Sequence, residues 1–229
     1  MLDKTTVIAI EGIDGSGKSV QFDRLAQALR ASGYTVQTRS YPVYHSFFGR
    51  QVGKLLSGVE GVQADKVDGM SMALWFALDR WEDLKAYQDG SADVLLINRY
   101  VLSNAVYQSI RDCDLNKPDI VEWVFDLEFR HFGIPEPDVH LFFDVSADAA
   151  GINVERKGFR DYVGSGKDIY EASSDIQQRA RLKYLECAAR FDNVAVIPCM
   201  QGGRMMGADK ITDEAIKVIS NRGLIKKRL

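Results

Sequence analysis

The chain has 229 residues, of which 46% are hydrophobic and 27% are charged. This composition is typical of a soluble globular protein with a hydrophobic core, and it excludes wholesale disorder. The 29 lysines and arginines and the 32 aspartates and glutamates leave a formal net charge of −3, which excludes a strongly basic nucleic-acid binder. A polyanionic ligand must therefore be met by a local cluster of positive charge.

Two further features predict the compartment. No apolar run approaches the about 20 residues that a membrane helix needs, and the start, MLDKTTVIAIEG, lacks the layout of a signal peptide. The cysteines Cys113, Cys187 and Cys199 are scattered, so they form neither a CxxC metal motif nor a disulfide framework. We expect a cytoplasmic, reduced protein without a membrane segment.

Short apolar runs alternate with longer helical patterns along the chain. The expected strands are Thr6–Ile10, Thr35–Arg39, Val94–Ile97, Val139–Val145 and Val194–Pro198. The expected helices lie near Ser19–Ala31, Phe48–Leu56, Val67–Gln88, Leu102–Arg111, Ile120–Phe132, Ala147–Arg156, Glu171–Arg190 and Thr212–Ser220. Strands that are apolar throughout are typical of a parallel sheet buried on both faces, and the alternation is typical of an α/β fold. We expect a single α/β domain over residues 1–229.

One stretch departs from this pattern. Arg156–Lys167 (RKGFRDYVGSGK) combines three glycines with four basic residues and almost no aliphatic positions. We interpret it as an exposed, mobile flap between two helices.

The strongest motif is Gly12–Ser19 (GIDGSGKS), which satisfies G-x-x-x-x-G-K-[ST] between an apolar strand and an amphipathic helix. In such a loop, glycines let several backbone N–H groups point at phosphate oxygens, and the helix start adds its positive dipole end. Lys18 would bridge the β- and γ-phosphates, and the Ser19 hydroxyl would bind Mg²⁺. The alternative is a glycine-rich turn with an incidental lysine.

The loop alone does not separate GTPases, ATPases and kinases. No N-K-x-D guanine motif is present, and large motor ATPases need a much longer chain. A small-molecule kinase fits the length and the basic flap.

Several further segments resemble one family, the thymidylate kinases, which phosphorylate dTMP with ATP. The resemblance runs from about Thr6 to Phe191, and the motifs occur in the family's order. They are the EGIDGSGKS loop, Tyr41–Gly49 (YPVYHSFFG), Ala73–Arg80 (ALWFALDR), Asn98–Gln108 (NRYVLSNAVYQ), Gly133–Asp138 (GIPEPD) and Lys167–Glu171 (KDIYE). The absence of a basic residue at the loop's variable positions, beside a basic lid, is similar to the bacterial type.

The resemblance implies a P-loop kinase fold of three layers, with a five-stranded parallel sheet flanked by helices and a short lid at about 156–170. It implies ATP and Mg²⁺ as cofactors, dTMP as the small-molecule substrate, and a homodimer, whose interface the apolar helices around Val67–Leu78 and Ile120–Phe132 could supply. No nucleic acid or membrane is expected as a partner.

The resemblance also assigns roles to residues. Phe76 would stack on thymine, Arg80 would bond the edge of the base, and Asp14 would meet the sugar 3′-hydroxyl and help organise the magnesium shell. The implied catalytic residues are Lys18, Arg99, Arg156, Arg160 and Asp14. The ATP-binding residues are Gly12, Gly15, Ser16, Gly17, Lys18 and Ser19, and the metal-binding residues are Ser19, Asp14 and Glu171. The substrate-binding residues are Asp14, Tyr44, Phe76, Arg80, Arg99, Ser103, Asn104, Tyr107, Asp168 and Tyr170.

Most of these residues also have a purely structural interpretation. Phe76 fits an apolar helix face, Arg80 could form a solvated pair with its acidic neighbours, and Asn104 and Tyr107 could serve helix packing. The lid cations could simply keep a loop soluble. Arg99 is harder to dismiss, because open α/β sheets bind ligands at the carboxyl ends of their strands.

Two positions depart from the family pattern. Asn98 stands where the family usually has Asp, and an amide cannot supply the negative charge that favours Mg²⁺ or accepts a proton. Val43 stands where many members have an arginine near the acceptor phosphate. These changes could weaken catalysis, shift the acceptor, or be offset by neighbours such as Asp14, Glu171, Arg39 and Arg50.

Two alternative functions therefore stay open. One is a kinase of another pyrimidine nucleotide or nucleoside, although deoxynucleoside kinases usually carry Glu-Arg-Ser where this chain has Asn98-Arg99-Tyr100. The other is a nucleotide-binding regulator with weakened catalysis.

Overall fold

The computed structural model of the protein describes residues 4–58, 64–114, 117–156 and 174–225. Its strands are β1 (Thr6–Glu11), β2 (Val36–Ser40), β3 (Val94–Asn98), β4 (Val139–Asp144), β5 (Val194–Pro198), β6 (Met200–Gln201) and β7 (Arg204–Met205). Its α-helices are α1 (Lys18–Ala31), α2 (Phe47–Ser57), α3 (Gly69–Leu84), α4 (Val101–Asp114), α5 (Val121–Phe125), α6 (Ala147–Arg156), α7 (Ser174–Arg190) and α8 (Ala208–Asn221). A 3₁₀ turn covers Ala64–Lys66, and a π-helical segment, Asp126–His131, continues α5.

Five strands form a parallel sheet in the order β2-β3-β1-β4-β5. All five expected strands are present within one residue of their expected bounds. Central β1 pairs with β3 on one side, where Ile10 lies opposite Asn98, and with β4 on the other side, where Glu11 lies opposite Phe142. The carboxyl ends of β1 and β3 therefore meet at one edge of the sheet, where open α/β sheets bind ligands.

The sheet is covered on both faces. Successive residues of a strand point to opposite faces, yet Val7, Ile8, Ala9 and Ile10 of β1 are all buried. Helices α1 and α8 pack on each other and on the strands, and α7 packs on both β5 and α4. Burial on both faces explains why these strands are apolar throughout instead of alternating. The expected arrangement of a parallel sheet flanked by helices is confirmed.

The helices lie where the sequence predicts them, but some of their bounds differ from the predicted ones. Helix α3 is shorter than the expected Val67–Gln88, because the Asp68 side chain accepts a hydrogen bond from Ser71 N and caps its start. The expected helix Ile120–Phe132 is instead α5 followed by the π-helical segment. The β6–β7 hairpin had no signal in the sequence, since each strand has only two residues.

The expected flap lies largely outside the described residues. Helix α6 ends at Arg156, and the next described element, α7, begins at Ser174. Among the described helices, none combines the length and the apolar character needed to cross a membrane.

Candidate active site

The loop between β1 and α1 has a shape that only glycine permits at two positions. Gly15 and Gly17 have φ values of +81° and +83°, which side chains rarely tolerate. A Cβ on Gly15 would also lie 2.0 Å from the backbone oxygen of Ala150 in α6. The loop is therefore pressed against α6 by its backbone.

The start of α1 faces this loop and suits an anion. Gly17 is the N-cap residue and offers no side-chain cap, and the first turn of α1 contains no acidic residue. The N–H groups of this turn and the positive end of the helix dipole can therefore meet phosphate oxygens.

Lys18 lies across the loop. Its Nζ donates to the carbonyl oxygens of Gly12 at 2.8 Å and Ile13 at 2.6 Å, and the side chain is buried. Ser19, the next residue, is exposed in the first turn of α1. Lys18 therefore crosses the loop, and Ser19 lies in the first turn of the helix that follows it.

Arg99 reaches this loop from β3. It follows the strand directly, its N–H donates to Ile10 O at 2.9 Å, and its side chain forms an ion pair with Asp14. Its φ of +60° is the only positive value among the described non-glycine residues. Such a backbone conformation costs about 1–3 kcal/mol and is concentrated at functional sites.

Beside the Asp14–Arg99 pair lies a cavity. It is lined by Asp14, Tyr41, Pro42, Tyr44, Leu56, Phe76, Arg80, Arg99, Tyr100, Ser103, Asn104, Tyr107 and Gln108. All the expected substrate-binding residues that the structure describes are in this lining. Of the other expected site residues, Arg160, Asp168, Tyr170 and Glu171 lie outside the described residues, as does the side chain of Arg156.

One face of α3 organises the cavity wall. Phe76 lines the cavity, and one turn later Asp79 accepts from Val43 N at 3.0 Å and from Ser46 Oγ at 3.1 Å. Burial raises the pKa of Asp79 above its ordinary value, although these hydrogen bonds favour the carboxylate. Asp79 thereby fixes the loop that brings Tyr44 to the cavity.

Arg80, on the same face, is buried and not solvated, so the interpretation as an exposed surface pair is wrong. Its Nε and Nη2 each donate to the carboxylate of Glu128 at 2.5 Å. Burial disfavours the charged guanidinium, but the facing carboxylate outweighs this effect and raises the pKa of Arg80. Asn104 Nδ2 also donates to Glu128, at 3.0 Å. Glu128 lies in the π-helical segment, and nothing local in the sequence marked it.

Three other buried side chains whose contacts the sequence did not reveal support the site, those of Glu11, Tyr184 and Gln177. Ser103 Oγ donates to Glu11 and lies 2.9 Å from the Tyr184 hydroxyl, so these two contacts anchor it to the protein interior. Gln177 of α7 accepts from Asp14 N and from the Tyr107 hydroxyl, both at 2.9 Å. Gln177 therefore connects the phosphate loop to the cavity wall.

The structure shows what surrounds Asn98 and Val43, the two positions that depart from the family pattern. Asn98 Nδ2 donates to Ser40 Oγ at 3.1 Å, while its Oδ1 is buried without a partner among the described residues. Val43 does not line the cavity. Arg39 pairs with Asp83 and Arg50 donates to His45 O, and neither lines the cavity. Compensation by Arg39 or Arg50 therefore has no support in this arrangement.

A phosphate-binding loop on a parallel sheet, next to a cavity whose lining includes the Asp14–Arg99 pair, defines a P-loop phosphotransferase with a separate acceptor site. Comparison with known proteins narrows the class. The family model for thymidylate kinase matches residues 10–201. Thymidylate kinase of Mycobacterium tuberculosis is 36% identical over 187 residues, which are 80% of this chain and 86% of that protein. A probable thymidylate kinase of Thermococcus onnurineus is 28% identical over 196 residues, covering 83% and 87%.

A solved structure shows the same fold. The thymidylate kinase of Candida albicans superimposes with a TM-score of 0.71 at 20% identity, covering 96% of this chain and 93% of that one. The chain belongs to the thymidylate kinase family, whose reaction is phosphoryl transfer from ATP to dTMP, giving dTDP and ADP.

Proposed function

We propose that the chain carries out this transfer where the phosphate loop meets the cavity, with ATP on the loop and dTMP in the cavity. The observation that carries the proposal is the Asp14–Arg99 pair, because Asp14 belongs to the loop and Arg99 to the end of β3, and both line the cavity. A phosphate held by Arg99 would therefore lie next to a phosphate held by the loop.

On the donor side, the N–H groups at the start of α1 would hold the β-phosphate. Lys18 would exchange its contacts with the Gly12 and Ile13 carbonyls for β- and γ-phosphate oxygens. This exchange costs little, because the two carbonyls are neutral acceptors and the phosphates are charged ones.

On the acceptor side, the base would lie against Phe76 with its edge toward Arg80 and Asn104, and the sugar would approach Asp14. Arg99 would hold the phosphate. The attacking group is a phosphate oxygen, which is already largely ionised at neutral pH because its second pKa is about 6. No strong general base is required, so Asn98 is compatible with catalysis.

Mg²⁺ fits the residues present. The described residues contain no cluster of three or more His, Cys, Asp or Glu that could hold a metal, which suits an ion that keeps waters and phosphate oxygens as most of its ligands. We propose that Ser19 would be the direct protein ligand, and that Asp14 and Asn98 Oδ1, which has no partner among the described residues, would accept hydrogen bonds from the water that the ion keeps. When bound, Mg²⁺ would neutralise negative charge on the phosphates of ATP.

The oligomeric state and the compartment also belong to this proposal. Met70 and Leu74, one turn apart on α3, are each 38% exposed, and we propose that they contribute to a homodimer interface. Gel filtration at a dimer mass would support the interface, and a monomer mass would contradict it.

The free, buried thiols of Cys187 and Cys199 suit a reducing compartment such as the cytoplasm.

Loss of Lys18 tests the assignment of the loop. In Lys18→Ala, the rate of ADP formation with ATP and dTMP should fall by at least about 100-fold, since a charge aimed at the transition state is removed. Lys217→Ala, which removes an exposed lysine from α8, should leave the rate unchanged. Near-normal turnover in Lys18→Ala would contradict the proposal.

A further inference from the structure

The buried carboxylate of Glu128 is shared by two side chains that line the cavity. It accepts from Arg80 Nε and Nη2, and from Asn104 Nδ2. Glu128 itself is fully buried and does not line the cavity. Whatever it does for a ligand must therefore act through Arg80 and Asn104.

Glu128 fixes which way the Asn104 amide points. Asn104 Nδ2 donates to Glu128 Oε1 and to the backbone oxygen of Ala73, both at 3.0 Å. Both partners are acceptors only, so a rotation of the amide by 180° would place Oδ1 against two oxygens. Neither acceptor lines the cavity, and Oδ1 is the polar atom of Asn104 that has no hydrogen-bond partner among the described residues.

The atoms of Arg80 and Asn104 that remain available to a ligand are a donor and an acceptor, respectively. Asn104 Oδ1 is buried and has no hydrogen-bond partner among the described residues, and the side chain is only 3% exposed. A buried acceptor of this kind needs a donor, because a buried polar atom that is left unpaired loses its hydration without compensation. On Arg80, the two nitrogens on Glu128 leave Nη1 as a donor.

A donor beside an acceptor matches only some bases. Thymine and uracil present the O4 acceptor next to the N3–H donor, whereas cytosine presents an amino donor next to the N3 acceptor. Cytosine would place donor against donor at Arg80 and acceptor against acceptor at Asn104. A site built to hydrogen-bond one pattern rejects the wrong one strongly, because its buried polar groups are then left unpaired.

We propose that Glu128 is the specificity-determining positioning residue of the acceptor site, which holds Arg80 and Asn104 so that the cavity accepts 4-keto pyrimidines and rejects 4-amino pyrimidines. This inference rests on the proposed binding of the base against Phe76, Arg80 and Asn104. It extends that proposal to a residue that touches no substrate.

Replacement of Glu128 by its amide isostere is the direct test. In Glu128→Gln, an amide N–H₂ can donate to Asn104 Oδ1, so rotation of Asn104 is no longer prevented on that side. The ratio of kcat/KM for dTMP to kcat/KM for dCMP should fall at least 10-fold, while the KM for ATP should stay within twofold of the wild type. Glu122→Gln removes an exposed carboxylate from neighbouring α5 and should leave the ratio unchanged.

Glu128→Asp separates specificity from packing. It shortens the side chain but keeps a pure acceptor, so it should lower kcat/KM for dTMP while keeping the dTMP to dCMP ratio within about threefold of wild type. An unchanged ratio in Glu128→Gln, or an equal loss of ratio in both variants, would overturn the inference. If Glu128→Gln does not fold, a fall of more than threefold in the dTMP to dCMP ratio of Glu128→Asp would overturn the inference.

Calorimetric titration of the wild type and the Glu128 variants with dTMP and dCMP separates the proposed phosphoryl transfer from the proposed role of Glu128. Wild-type protein that binds dTMP in preference to dCMP without forming ADP would contradict the proposed transfer, and the Glu128 inference would still be tested by the binding ratio.

Discussion

Replacing Gly15 by alanine should damage the phosphate loop and the fold together. Gly15 has a φ of +81°, and a Cβ there would lie 2.0 Å from Ala150 O. The left-handed conformation costs a side chain about 1–2 kcal/mol, and displacing packed neighbours typically costs about 1–3 kcal/mol. The neighbour is backbone, which cannot turn aside as a flexible side chain could. The sum predicts a loss of about 2–5 kcal/mol in the free energy of unfolding, or about 4–20 °C in Tm for a chain of this size.

Urea unfolding followed by circular dichroism measures this loss, and a calorimetric titration with ADP measures the effect on the loop. Gly151→Ala is a matched control, because Gly151 lies in α6 next to Ala150, is exposed, and would leave an added Cβ with no other atom within 4 Å. It should stabilise by up to about 1 kcal/mol through helix propensity and leave ADP binding intact. Equal stability and ADP affinity in Gly15→Ala and wild type would refute the reasoning.

Three other predictions follow from the site and its surroundings. Arg99→Ala should raise the KM for dTMP by about 10- to 100-fold through loss of a charged hydrogen bond, and should raise the KM for ATP much less; equal effects on both would contradict its place on the acceptor side. Burial raises the pKa values of Cys187 and Cys199 to about 12, so neither should be alkylated by iodoacetamide at pH 8 in the native protein, as mapped by mass spectrometry. Burial opposes the charge on Asp119, but its hydrogen bonds with Lys183, Val121 N and Ser109, together with the charge of Lys183, prevail and lower its pKa; stability from these contacts should be present above about pH 4 and decline below it. In Asp119→Asn, the urea midpoint should depend less on pH over that range. A pH dependence equal to that of the wild type would contradict the stabilising role given to the Asp119 carboxylate.

The features that the sequence predicted are those encoded over short distances. Five apolar runs marked the buried strands, because burial on both faces leaves no polar alternation to confuse the pattern. The phosphate loop was recognisable since its glycines, Lys18 and Ser19 act within a stretch of eight residues. Eight of the thirteen residues that line the cavity were expected from the resemblance, because it supplied an order of motifs that no single motif contains.

The features that escaped prediction join distant parts of the chain. Glu128 meets Arg80 across 48 positions and Gln177 meets Asp14 across 163, so no local pattern records either contact. The environment of Arg80 shows the consequence, because its acidic sequence neighbours suggested a solvated pair while its actual partner is a buried carboxylate from another element. The β6–β7 hairpin was too short to produce a periodic signal.

Steady-state phosphoryl transfer by the wild-type chain tests the central claim most directly. ATP and Mg²⁺ are incubated with dTMP, dUMP, dCMP and dGMP in turn, and ADP and the nucleoside diphosphate are quantified by chromatography. The structure predicts formation of equal amounts of ADP and dTDP, with dTMP giving the highest kcat/KM. Absence of ADP with every acceptor, or a higher kcat/KM for dCMP or dGMP, would contradict the account.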